Sequence, residues 1–103
     1  MKRIERRVQA TQDLEDAFSY YLDRVEMGVA ERFIDEVDQA LTHIAQYPGT
    51  GSPRYAQLLQ NEQLRFWTLN KFPYAVFYLE RADYIEIVRV LHQSQDIPSH
   101  LEP

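Results

Sequence analysis

Cysteine is absent from the 103 residues. Its absence excludes disulfide staples, thiolate nucleophiles and cysteine-ligated metal. Glycine occurs only three times, too rarely for a P-loop, a dinucleotide-binding turn or a nucleophile elbow. Positive charge is in deficit, since eleven Lys and Arg face sixteen Asp and Glu for a net −5. That is the wrong sign for a broad nucleic-acid footprint, so any nucleic acid is an indirect partner. Long apolar runs are missing too. The stretch Ala75–Leu79 falls far short of the roughly 20 residues of a membrane span. The basic start, Met1 to Arg7, is followed by no apolar stretch, so no secretory signal is read and a cytoplasmic location is expected.

What is present suits one small packed domain. Hydrophobic residues make up 45% of the chain, and thirteen aromatic rings (seven Tyr, five Phe, one Trp) supply core area without staples. Charge is unevenly spread. Residues 1–10 carry a local +3, residues 11–46 a local −7, residues 47–92 a local +1 and the tail from Gln93 a local −2. The acidic stretch reads first as the solvated face of helices.

Residues 1–9 predict a weak edge strand around Ile4–Val8, with arginines on both faces that discourage aggregation. Residues 12–27 predict a helix, because Leu14, Ala17, Phe18, Tyr21, Leu22 and Val25 recur at helical spacing. Thr11 is the expected N-cap, with Asp13, Glu15 and Asp16 at the positive end of the dipole. Gly28 ends this helix or starts the next. Residues 29–47 predict a second helix, striped by Ala30, Phe33, Ile34, Val37, Leu41 and Ile44 and stopped by Tyr47-Pro48-Gly49.

Residues 48–63 form a long loop of the kind that is often functional. Residues 64–92 read as a three-stranded meander: Leu64–Leu69, Tyr74–Glu80 and Tyr84–Leu91. On the last strand, Ile85, Ile87, Arg89 and Leu91 share one face and Tyr84, Glu86, Val88 and Val90 the other. The first set is the better candidate to meet the helices. The whole is an α+β domain ordered β-α-α-β-β-β. It places a two-helix antiparallel hairpin on a curved, mainly antiparallel sheet, with residues 93–103 as a tail.

Candidate chemistry is sparse. His43, near a helix end, reads as structural. His100 in the tail is assigned no role. His92 sits where the last strand leaves the sheet, a place where scaffolds present functional groups. Arg65 and Arg89 are embedded in apolar strands, where a guanidinium needs a partner. Glu62, Glu80, Glu86, a helix carboxylate or an external anion would each serve. Trp67 and the rings of 74–78 are core or, alternatively, an exposed patch. No metal or cofactor site is read.

Several motifs in register resemble the ParE branch of the RelE/ParE toxins. Ala10-Thr11-Gln12-Asp13-Leu14-Glu15-Asp16 is similar to that family's first-helix entry, and Ala30-Glu31-Arg32-Phe33 to its second-helix motif. Tyr47-Pro48-Gly49-Thr50-Gly51-Ser52-Pro53-Arg54 looks like its proline–glycine–arginine loop. Leu64-Arg65, Tyr74-x-x-Phe77-Tyr78 and Ile85 to His92 follow in order. Gln95 stands where the branch usually carries arginine.

The resemblance implies the toxin of a type II toxin–antitoxin pair, a plasmid-stabilising growth inhibitor. Such a toxin acts by binding DNA gyrase and is neutralised by a cognate ParD-like antitoxin in a hetero-oligomer. Target contacts are expected at Arg65, Lys71, Arg89, His92 and Gln95, with no catalysis. Two alternatives stand beside this. One is a RelE-like ribosome-dependent mRNA endonuclease with His92 as acid or base and Arg65 and Arg89 as phosphate clamp. The other is a decayed toxin that only binds its antitoxin.

Overall fold

The computed structural model describes residues 1–57 and 63–101. Strand β1 (Arg3–Arg6) leads into helix α1 (Val8–Arg24), helix α2 (Met27–Gln46) and a 3-10 turn at Pro48–Thr50. Strands β2 (Leu64–Thr68), β3 (Tyr74–Glu80) and β4 (Tyr84–His92) follow, then a short helix α3 (Ile97–Leu101). The order β-α-α-β-β-β is as expected, and the sheet order is β1-β4-β3-β2. The meander is antiparallel, while β1 lies on the edge and pairs in parallel with β4, Arg3 opposite Tyr84 and Arg6 opposite Ile87. The parallel pairing follows from the hairpin, which carries the chain over the sheet before the meander begins.

Helix α1 starts earlier than its apolar stripe suggests. Its N-cap is Arg7, in extended conformation with no side-chain cap, and the Thr11 amide already bonds the Arg7 carbonyl. Thr11 is therefore one turn inside the helix and not its cap. Asp13 is likewise beyond the first turn; its carboxylate is spent on β4 instead of on the dipole. Only Val25 and Glu26 separate the helices, and Gly28 lies in the first turn of α2. The helices meet the sheet through Leu14, Ala17, Phe33, Val37 and Ile44 against Val76, Tyr78, Ile85, Ile87 and Val90.

The expected face assignment on β4 fails after Ile87. Phe77 pairs with Arg89 while Tyr78 pairs with Ile87, so Val88 is an extra residue in the strand. A bulge of this kind reverses the alternation beyond it. Ile85 and Ile87 face the helices as expected, but Val90 joins them, and Leu91 turns to the opposite face with Val88. That second face is not left to solvent. Leu64, Ala75, Phe77, Leu79, Val88 and Leu91 are covered by Ile97 and Leu101 of α3 and by Tyr55 of the loop. The tail thus contains a lid helix that the periodicity did not reveal. Glu62 and part of the long loop lie outside the described residues.

Candidate functional site

Arg89 is the polar side chain set into β4. Its Nε and Nη2 donate to the two oxygens of Asp13 at 2.8 and 2.9 Å, and its Nη1 donates to the His100 carbonyl at 3.0 Å. The Val90 amide donates to the same carboxylate at 2.9 Å. Parallel pairing with β1 stops at Ile87, so beyond it the β4 edge lacks a strand and Asp13 supplies the acceptor. The Asp13 hydrogen bond pushes the Arg89 guanidinium above its ordinary range against a smaller opposing effect of burial.

Arg65 is held on the other side of β3. It sits opposite Tyr78 on β2, and its Nη1 donates to the Gly51 carbonyl at 2.8 Å. The Tyr78 hydroxyl donates to the Pro48 carbonyl at 2.6 Å and accepts from the Gly51 amide at 3.1 Å. Burial raises the Tyr78 pKa, with the Gly51 hydrogen bond and the Arg65 charge opposing. Both strand arginines thus spend donors on this chain's own acceptors. Of the carboxylates weighed for them, one on a helix is the partner of Arg89, and a backbone carbonyl takes Arg65.

Lys71, His92 and Gln95 come together at one end of the sheet. His92 pairs with Tyr74, and the Gln93 amide donates to the Pro73 carbonyl at 2.8 Å, which joins the β4 end to the β2–β3 turn. Gln95 folds back, its Oε1 accepting from the His92 amide at 2.7 Å. The Ser94 amide donates to His92 Nδ1 at 3.0 Å, so the neutral ring carries its proton on Nε2. Glu36 of α2 fixes the turn by accepting from the Asn70 and Lys71 amides at 3.1 and 3.0 Å. Behind this end stands a ring cluster. Tyr74 is edge-on to His92 at 5.1 Å and to Phe33 at 5.3 Å, and Tyr21 is edge-on to Phe72 at 5.1 Å. Burial first, then the nearby Tyr21 and Tyr20 hydroxyls, push the Tyr74 pKa up to about 12.

His43 is structural, as read. It stacks on Trp67 at 4.0 Å, and its Nε2 lies 2.9 Å from Thr50 Oγ1. Thr50 gives its one hydroxyl proton to the Tyr47 carbonyl, so His43 is the donor to it. Trp67 is partly buried against the core.

One surface was not singled out by sequence reasoning. Between α1 and α2, beside the end of β1, lies an apolar groove of about 390 Å³. Leu14, Phe18, Ile34, Val37 and Leu41 form its floor and walls, with Arg6, Glu15 and Asp38 at the rim. The signal was available: Phe18, Ile34 and Leu41 belong to the apolar stripes yet stay only half-buried. Among the described residues no cluster of His, Asp and Glu has the makings of a metal site, and no helix is long and apolar enough to cross a membrane.

A two-helix hairpin on a four-stranded sheet, with a loop tied to the sheet by arginine and tyrosine, is the architecture expected from the resemblance to RelE/ParE toxins. The chain belongs to the ParE toxin family of the type II toxin–antitoxin system parDE, whose model matches residues 4–97. It is 31% identical to Toxin ParE1 of Caulobacter vibrioides over 99 residues, covering 96% of this chain and 95% of that protein. Its fold is also that of a chain in a solved structure described as the chromosomal ParDE TA system from P. aeruginosa. There the TM-score is 0.73 at 17% identity, over 89% of this chain and 96% of that one.

Proposed function

We propose that this toxin arrests growth by binding DNA gyrase through the sheet end formed by Lys71, His92 and Gln95. In this reading Arg89 acts as a positioning residue behind it through the His100 carbonyl, while Arg65, level with Ile87, ties the Gly51 loop to β2 away from that end. The observation that carries the choice of binding over RNA cleavage is the state of the two arginines. Each donates to an internal acceptor; Arg89 has all three guanidinium nitrogens engaged and its charge paired with Asp13, so a phosphate clamp there would have to break those bonds. The Gln95 side chain, whose Oε1 accepts from the His92 amide, contributes to the shape of the β4 exit.

Neutralisation by an antitoxin is proposed to occur at the groove between α1 and α2. An apolar trough of this size between two exposed helices suits one face of an amphipathic helix. The test uses the purified chain with gyrase and relaxed plasmid. Supercoiling should be inhibited, with cleaved DNA accumulating, and coexpression with the antitoxin should relieve growth arrest. Ribosome-dependent mRNA cleavage with gyrase activity unchanged would overturn the reading.

A further inference from the structure

We infer that the groove selects its occupant by charge as well as by apolar fit. It is built for an amphipathic helix with lysine or arginine on both flanks of its apolar stripe and a carboxylate at the end nearest Arg6. This rests on the groove being the antitoxin's seat and names the chemistry of what sits there.

Asp13, Glu36, Glu80 and Glu86 each hold a partner within the fold. Glu15 on the α1 rim and Asp38 on the α2 rim do not. Both are exposed, and among the described residues neither side chain makes a hydrogen bond or ion pair. They flank the apolar floor from opposite sides, within a segment of local charge −7.

Arg6 breaks the pattern. Lys2 and Arg7, from the same basic start, are paired with Glu80 and Glu86, while the Arg6 side chain stays unpaired at the groove's entry. Because Arg6 precedes α1, it marks one end of the trough and gives it a direction. Each rim charge adds modestly to affinity at low salt, and both reject wrong partners, since an acid-flanked helix of equal apolarity meets like charge on both sides.

Three synthetic helical peptides with one common leucine stripe, flanked by lysine, glutamine or glutamate, test this by anisotropy at low salt. The lysine peptide should bind about tenfold tighter than the glutamine peptide, a difference of about 1.4 kcal/mol, and the glutamate peptide weakest. In Glu15→Gln/Asp38→Gln the spread should collapse. A glutamate added at one terminus of the lysine peptide, and at that terminus only, should tighten binding to the unsubstituted protein but not to Arg6→Gln.

Equal affinities for all three peptides, or no binding by any, would overturn the inference. Leu41→Arg, which places a charge in the groove wall, separates the two levels. Equal binding that Leu41→Arg abolishes removes charge selection and leaves groove docking in place. Equal binding that ignores Leu41→Arg removes both.

Discussion

Replacing Asp13 with alanine should cost about 3 kcal/mol of folding stability, a large effect for one polar side chain on a helix. The figure follows from what its carboxylate does. Three donors converge on it: Arg89 Nε, Arg89 Nη2 and the Val90 amide. The side chains of Arg89 and Asp13 retain 16% and 12% of their exposure, so water replaces the carboxylate poorly. A stranded sheet amide accounts for about 1–2 kcal/mol. A charge stranded in a fully buried pair would cost about 3–5 kcal/mol. Here the guanidinium keeps the His100 carbonyl and some solvent, so a further 1–2 kcal/mol or so is expected. Asp13→Asn, which keeps one acceptor, should lose about half as much.

Urea unfolding at neutral pH gives the measurement, with unchanged slope as the check that both states remain comparable. The loss should change little with added salt, since a pair this enclosed is weakly screened. In a cycle with Arg89→Ala the double variant should lose much less than the sum of the singles. A loss below about 0.5 kcal/mol for Asp13→Ala, or a strictly additive cycle, would refute the claim that this carboxylate closes the β4 edge.

Gly51→Ala places a Cβ against the Tyr78 hydroxyl, 2.8 Å from its Cζ and 3.0 Å from the Phe66 carbonyl. It should lower stability by about 3 kcal/mol in urea unfolding, with Tyr78→Phe partly relieving the clash and making the pair non-additive. Hydrogen bonding from Arg7, with help from Arg81 and against burial, holds the Glu86 carboxyl below its ordinary value of 4.5. The stability it confers is complete above that value and is lost as pH falls through the lowered one, so Glu86→Gln should flatten acid unfolding below about pH 5. Burial pushes Tyr74 up to about 12, so stability should fall as pH rises from about 10 toward 12, and Tyr74→Phe should remove one tyrosine from the delayed part of the absorbance titration, leaving those of Tyr78 and Tyr21. The Lys71 side chain has no partner among the described residues. Lys71→Glu should therefore weaken supercoiling inhibition by about tenfold while leaving the urea midpoint within ~0.5 kcal/mol of the parent.

The helices and the meander were legible because their signals are local. A 3.6-residue stripe and a two- or three-residue turn are written in adjacent residues. What was illegible depends on distant ones. Val90 and Leu91 exchange faces because of one extra residue at Val88, and nothing in the strand's composition marks a bulge. Asp13 looks like a dipole partner until β4 is seen to lack a neighbour past Ile87. The α3 helix is five residues with a proline, too short for any periodicity. At the candidate site, strand alternation marks Arg65 and Arg89 as anomalies but cannot name their acceptors, which come from residues 14 and 76 positions away. The half-burial of Phe18, Ile34 and Leu41 is equally a property of the assembled hairpin, since each alone passes for core.

The proposed groove and the proposed gyrase contact lie on different parts of the molecule, and that separation constrains how an antitoxin can neutralise. Arg6, at the groove's entry, is level with Ile87 on β4. His92 lies four sheet positions further on, because the Val88 bulge adds no length, roughly 13 Å at about 3.3 Å per position. The groove runs over the helical layer, whereas Lys71, His92 and Gln95 cap the sheet. A partner that is only a groove-filling helix therefore leaves the sheet end open, and tight binding alone does not block the target. Blocking by contact requires an extended segment beyond the helix, long enough to reach the β2–β3 turn from the hairpin. An antitoxin fragment cut back to its groove helix should then bind this chain without restoring supercoiling, while one that keeps the extension should do both. Full relief by the helix alone would mean that the groove and the target contact are one surface, and would move the gyrase contact from the sheet end to α1 and α2.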